Sequence, residues 1–264
     1  MSELVVKDIY DQLFYLESKV KRDDVYPIHK RLVFDPQDDI KDIYGWLSKE
    51  IEFKDGDRVL DAGCGVGFGS CLLAKEHNIE VTGISLSEKE VERARLFAKK
   101  TMLESRTKFE QKSFDTLDIG TYHKIIAIES IKHSLNLSKS LEVMKAALLP
   151  GGTLYIVEDF YGRAELTPDA RSYKQDWKLT DVFRLSDYHK VLEIEKTNFR
   201  DLTDHMPQKS MLAVNMKLMV NAIASTFQTR KHMNINKIFR GGYYLDRLYI
   251  QGWMRYGILS FDKK

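Results

Sequence analysis

The twelve residues "VLDAGCGVGFGS", beginning at Val59, close an apolar run on an aspartate and then put glycine at every second position, at Gly63, Gly65, Gly67 and Gly69. Glycine enters left-handed backbone conformations without a Cβ penalty, so the run marks a tight strand-to-helix turn where the main chain is closely approached. A strand stopping at Asp61 and turning this way presents unpaired N–H groups and the positive end of a helix at its C-terminal edge.

The surrounding pattern says what kind of sheet carries that corner. No proline falls between Pro36 and Pro150, and β-rich runs at residues 58–61, 80–84, 108–112 and 124–128 alternate with helix-compatible segments at 68–77, 88–103 and 137–148. Strands separated by helices pair in parallel. "LLPGGTLYIVED" adds a helix stop, a glycine turn and a fifth strand ending at Glu158 and Asp159; residues 186–192 read as helix, 195–202 as strand and 253–261 as the last strand. The expected fold is α/β, a doubly wound, Rossmann-like, seven-stranded sheet. Residues 1–50 are expected to form an N-terminal helical arm or lid, 51–202 the core, 203–247 a helical cap inserted before the last strand, and 248–264 that strand.

A chain of 264 residues suits one core, and 41 Lys+Arg against 39 Asp+Glu, with no block of like charge, argues against nucleic acid as a partner. The two cysteines, Cys64 and Cys71, fit neither a disulfide framework nor a zinc site, so no metal is expected. The N-terminus is acidic and amphipathic, and no apolar run approaches membrane-spanning length. A soluble, cytoplasmic protein is expected, with a homo-oligomer left open.

The glycine spacing discriminates among ligands. Gly63, Gly65 and Gly67 make G-x-G-x-G, whereas a dinucleotide fingerprint needs glycine at position 68, which is Phe68. The second strand runs into "GISLS" rather than an acidic residue, and no Gly-Lys-Ser/Thr follows the loop.

With Asp61 in front, the corner resembles motif I of class I S-adenosylmethionine-dependent methyltransferases. "VTGISLSEKEVERA" resembles the "GITLSxxQxxRA" segment of the group that includes cyclopropane fatty acid synthases and sterol and tocopherol C-methyltransferases; "AIESIKH" and "LLPGG" resemble its fourth-strand end and following turn. The resemblance implies S-adenosylmethionine as cofactor. It puts Asp61, Ala62, Gly63, Gly65 and Gly67 at the methionine part, and Ser85, Leu86 and Glu90 at the ribose. Ser113 and Phe114 fall at the adenine and Glu129 at the fourth-strand end. Glu90 stands where the group has glutamine, and Ser113 where it has aspartate.

Methyl transfer from a sulfonium needs alignment and exclusion of water. The expected acceptor is a small, largely apolar metabolite, methylated at carbon on the strength of "GISLS". Methylation of a small molecule at oxygen or nitrogen is the alternative, and a non-catalytic S-adenosylmethionine-binding subunit a further one. Glu129 and His133, four residues apart, would share a face of a short helix as a polar pair beside the donor; otherwise Glu129 closes the cofactor site and His133 packs locally. Tyr26 and His29, flanking Pro27 and Ile28 in the arm, are further catalytic candidates. The methionines between Met206 and Met233, and Tyr243, Tyr244, Tyr249, Trp253 and Tyr256, line a pocket or simply pack.

Overall fold

A computed structural model of the chain describes residues 3, 4, 7, 11, 29, 30, 32, 33, 43–193, 199–226 and 233–264. Strands β1 (Arg58–Ala62), β2 (Glu80–Ser85), β3 (Thr107–Gln111), β4 (Tyr122–Ile128), β5 (Leu148–Tyr161), β6 (Phe199–Asp201) and β7 (Met254–Asp262) form one sheet in the order β3-β2-β1-β4-β5-β7-β6. The first five pair in parallel, and β7 runs antiparallel between β5 and β6. The doubly wound, seven-stranded architecture is the expected one.

Period-two alternation explains the two layers. Leu60, Ala62, Ile125, Ala127, Leu154 and Ile156 face one side, where they bury α4 (Leu137–Ala147) and α6 (Leu185–Leu192). Val59, Val81, Ile126, Ile128 and Val157 face the other, against α1 (Ile43–Glu50) and α2 (Phe68–Glu76). Each such aliphatic side chain contributes about 1.5–3 kcal/mol of burial free energy. A third helix, α3 (Glu88–Lys100), covers β3 through Val91, Ala94 and Ala98 against Phe109. Strand order reverses where β1 meets both β2 and β4, and ligands of open α/β sheets bind at the C-terminal edge of such a point. The glycine corner and the Glu129 segment flank it.

Several expectations shift. The "PGG" turn is absorbed into β5 as a bulge: Tyr122 pairs with Leu148 but Lys124 pairs with Thr153, with Gly151 at φ 75°. Of the strand expected over 195–202, residues 195–198 lie outside the described residues, and β6 is Phe199–Asp201. Helix α5 (Pro168–Asp176) was not anticipated, although Thr167 and Pro168 signal it. The Thr167 hydroxyl accepts the Ala170 N–H, and proline at the first turn gives up no needed donor.

Of the cap helices α7 (Met211–Thr226) and α8 (Met233–Ile250), α8 is tied to α5, and its Arg247 also reaches Asn215 of α7. Arg240 grips Asp176 with Nε at 2.7 Å and Nη2 at 2.6 Å, and Arg247 Nε reaches Asp169 at 2.9 Å. The expected boundary at residue 202 therefore divides segments that pack together. Along α7, Val214 is buried, but Met216 and Met219 are 55% and 59% exposed, so these methionines do not line a pocket. In the arm, Leu32 is fully buried with Ile43 and Leu47, and the Val33 N–H donates to the His205 carbonyl at 2.8 Å. Among the described residues no helix is long and apolar enough to cross a membrane.

Candidate functional site

The three motif glycines have different jobs. All take positive φ, at 100° for Gly63, 51° for Gly65 and 80° for Gly67. A Cβ on Gly63 would lie 2.5 Å from Ser130 Cβ, and one on Gly67 would lie 2.6 Å from Ala94 Cβ and 2.9 Å from the Phe109 ring. A Cβ on Gly65 meets nothing within 4 Å among the described residues. Two glycines thus admit neighbouring protein, and the middle one faces open space. The ends of β1 and β4 are locked together beside it, since Ser130 Oγ donates to the Ala62 carbonyl at 2.7 Å.

Asp61 is fully buried and accepts hydrogen bonds from Tyr44 Oη at 2.9 Å and Ser70 Oγ at 2.6 Å. Burial outweighs those two bonds and raises its pKa to about 6. A carboxylate carries about four acceptor sites, so two hydroxyls leave capacity for a cation. Burial and the Asp61 and Glu90 charges push the Cys64 thiol well up, and Cys71 sits at about 11, mainly through burial. Neither is a nucleophile at neutral pH.

At the end of β2, Ser85 Oγ donates to Glu90 Oε2 at 2.6 Å and accepts the Ser87 N–H at 3.1 Å, while Ser87 Oγ caps α3. Glu90 is 8% exposed, which excludes a solvated helix face. Ser85 and Glu90 are therefore one unit, and its charge is felt at Cys64 in the glycine loop. The Leu86 carbonyl accepts from Gln111 Nε2. Ser113 caps a short 3-10 turn by accepting the Asp115 N–H at 3.2 Å, with half-buried Phe114 packed on the core beside it.

The ends of β4 and β5 carry a dense ionic cluster. Lys30 Nζ lies 2.6 Å from Asp159 Oδ1 and 3.7 Å from Glu129 Oε2, and the Lys30 N–H donates to Glu129 Oε1 at 3.0 Å. Lys132 Nζ lies 3.4 Å from Glu158 and Asp159 and 3.7 Å from Glu129. Tyr256 Oη donates to Glu129 at 2.9 Å and Tyr249 Oη to Asp159. Burial alone would raise Glu129 and Asp159, but Lys30 and Lys132 overcome it and hold both below the ordinary carboxylate range. Burial wins at Glu158, whose pKa rises against the pull of Lys132. For Lys132, three surrounding carboxylates outweigh burial and keep it protonated.

The expected helical pairing of Glu129 with His133 does not form. Glu129 has left-handed backbone, φ 49°, and the following turn is a 3-10 turn at Ile131–His133, so i and i+4 do not share a face. Glu129 turns toward the arm, with His29 Nδ1 4.0 Å from its Oε1. His133 is 6% exposed and stacks on Trp177 with centroids 6.2 Å apart. Burial and the Lys132 charge drop its pKa to about 3, so the ring is neutral at pH 7. Tyr26 lies outside the described residues.

The arm brackets the corner on both sides. Asp11 Oδ1 accepts from Ser87 Oγ at 2.5 Å at the start of α3, and Lys30 reaches Glu129 and Asp159 across the switch point. Sequence reasoning missed Tyr44, Ser70, Lys30 and Lys132. Ser70, three residues beyond Gly67 on the turn, and Lys132, inside "AIESIKH", lay in segments that carried a signal; Tyr44 and Lys30 act from segments without any local pattern.

The family described as "Methyltransferase domain" matches residues 53–199, more than half of the chain. Norajmaline N-methyltransferase of Rauvolfia serpentina is 36% identical over 125 residues, 46% of this chain and 41% of that protein. A sterol 24-C-methyltransferase of Gibberella zeae is 31% identical over 142 residues, 52% of this chain and 37% of that protein. The chain thus spans less than half the length of these curated relatives. Geranyl diphosphate C-methyltransferase from Streptomyces coelicolor superposes with a TM-score of 0.72 at 13% identity, covering 99% of this chain and 97% of that one, a likeness of fold. With the glycine corner, the sheet order and the matched residues in agreement, the chain belongs to the methyltransferase domain family, on the class I S-adenosylmethionine-dependent fold.

Proposed function

We propose that the chain binds S-adenosylmethionine at the glycine corner and directs its methyl group to a small-molecule acceptor at the adjoining ends of β4 and β5. The observation that carries this is Gly65: its missing Cβ opens onto space free of the described residues, in the loop that joins β1 to α2. The donor set fits the cofactor. Asp61 suits its ammonium, the loop backbone its methionine chain, Glu90 and Ser85 its ribose hydroxyls, and Phe114 its adenine. When bound, the cofactor supplies an electrophilic methyl carbon, which the acceptor's electron pair takes as the carbon–sulfur pair leaves on sulfur. The arm, held at Asp11 and Lys30, acts as the lid that excludes water. A cytoplasmic setting suits the two buried thiols.

"GISLS" favours carbon as the methylated atom. A second reading, nitrogen, is favoured by the charged groups at the β4–β5 edge and is taken up below. S-adenosylhomocysteine should bind one to one and raise the thermal midpoint, whereas NAD should not; the reverse pattern would remove the basis of this assignment.

Binding should also report on Asp61. A cation pairs with the carboxylate form, so affinity for S-adenosylhomocysteine should be flat above pH 7 and weaken by about tenfold per pH unit below about pH 6. The apoprotein should behave oppositely. The raised pKa makes the Asp61 contribution to stability fully present below its ordinary value of 3.8 and lost as pH rises through about 6. Asp61→Asn should therefore stabilise the apoprotein at pH 7 while flattening and weakening binding. Calorimetric titrations at several pH values check both; an unaltered pH profile in Asp61→Asn would show that Asp61 does not face the ligand.

A further inference from the structure

Lys30 is seated rather than merely paired. Its Nζ contacts Asp159 at 2.6 Å and Glu129 at 3.7 Å, and lies over the rings of Tyr256 and Tyr249, 4.7 Å and 5.8 Å from their centroids. Those hydroxyls in turn hold the same two carboxylates. Two ring faces and two fixed carboxylates around one point form a receptor for a desolvated cation, the arrangement that recognises alkylated ammonium groups. A group on the arm fills it, with its side chain 15% exposed, so the seat is reached from outside. Withdrawing Lys30 would leave Glu129, Glu158 and Asp159 facing Lys132, with His29 4.0 Å from Glu129, as their cationic partners among the described residues, a buried excess of negative charge that calls for another cation. Nearby, the Tyr173 hydroxyl is buried within the field of Lys132 and Asp159 and has no hydrogen-bond partner among the described residues.

We infer that this cage is the acceptor subsite and takes the ammonium of an amine substrate or its N-methylated product, with Lys30 as the occupant that an incoming amine displaces. The inference rests on the reading that the methyl donor binds at the glycine corner, which adjoins the cage through Ser130, the residue after Glu129. The amine reacts as its free base: its lone pair forms the bond to the methyl carbon, the carbon–sulfur pair leaves on sulfur, and the ammonium so formed is held by Asp159, Glu129 and the two ring faces. A tertiary amine ends as a quaternary ammonium, which the ring faces retain without a hydrogen bond.

Choline and its neutral carbon isostere 3,3-dimethylbutan-1-ol serve as probes in calorimetric titrations of the full chain saturated with S-adenosylhomocysteine. Lys30→Ala should bind choline about tenfold or more tighter than the parent chain, and neither should bind the alcohol. Adding Asp159→Asn to Lys30→Ala should abolish the gain, and adding Tyr249→Leu should reduce it with no change in charge. Equal choline affinity with and without Lys30 would overturn the cage, as would equal binding of alcohol and choline. Choline displacing S-adenosylhomocysteine would also overturn it, since the cage would then belong to the cofactor's own ammonium. If S-adenosylhomocysteine fails to bind the parent chain, the methyl-donor reading fails separately, and the choline comparison is still read without it. Lys30→Met, which keeps the aliphatic stem, supplies the same comparisons if Lys30→Ala loses its cooperative transition.

Discussion

Gly65→Val abolishes stabilisation by S-adenosylhomocysteine and leaves a cooperatively folded chain, whereas Gly67→Val disrupts the fold: this contrast is the expected result for two glycines two positions apart. At Gly65 a Cβ meets none of the described residues within 4 Å, so the cost to the apoprotein is the strain of a branched residue at φ 51°, about 1–3 kcal/mol. At Gly67 the same strain adds to overlap with Ala94 and the Phe109 ring, whose packing between α3 and β3 has no slack. A ligand at 100 times its Kd stabilises by about 2.7 kcal/mol, and that increment vanishes when its space is filled. Gly65→Asn separates strain from occupancy, because asparagine tolerates left-handed backbone but still projects into the site. It should unfold near the parent midpoint and still fail to bind. Thermal melts with and without S-adenosylhomocysteine decide the matter, and normal binding by both Gly65 variants would make the corner purely structural.

What could be read in the chain follows the range of the interactions. Period-two runs and glycine spacing are local, so the doubly wound, seven-stranded sheet and the corner at Asp61 were legible. Even the place of Glu90 was half visible, through the resemblance carried by "VTGISLSEKEVERA". Its detour through Ser85 was not. The β4–β5 edge is different in kind. Lys30 meets Asp159, Tyr249 meets Asp159 and Tyr256 meets Glu129 across separations of about a third to a half of the chain, and nothing in the local pattern of a lysine says whether it will be buried. Glu129 and His133 illustrate the failure most directly. The helical spacing was real in the sequence, but a left-handed residue at Glu129 broke the register before the turn began. The carboxylate therefore looks toward the arm, and the imidazole went to Trp177.

That edge also carries the largest stability effect expected of a single side chain. Lys132, 7% exposed, is the cation shared by Glu129, Glu158 and Asp159, and its backbone N–H holds Glu158 Oε2 at 3.0 Å as well. Lys132→Met keeps the stem over Trp177 but leaves buried carboxylates with Lys30 as their remaining cation among the described residues. Breaking a buried charge cluster in this way costs roughly 3–5 kcal/mol, a large part of the 5–15 kcal/mol typical of a whole domain. The pH dependence distinguishes this cause from lost packing. In the parent chain Glu129 and Asp159 are held low, so their contribution is present above the ordinary carboxylate pKa and lost as pH falls through their folded values. Without Lys132 those folded pKa values climb, and a raised carboxylate favours the native state at low pH and penalises it as pH rises. Urea midpoints of the variant should therefore recover toward the parent between pH 7 and pH 5. Lys132→Met combined with Glu158→Gln should regain much of the loss at pH 7, because one of the stranded charges is gone. A Lys132→Met midpoint equal to the parent's at pH 7 would mean that water reaches these carboxylates, and the dry, charged floor on which the acceptor subsite depends would not exist.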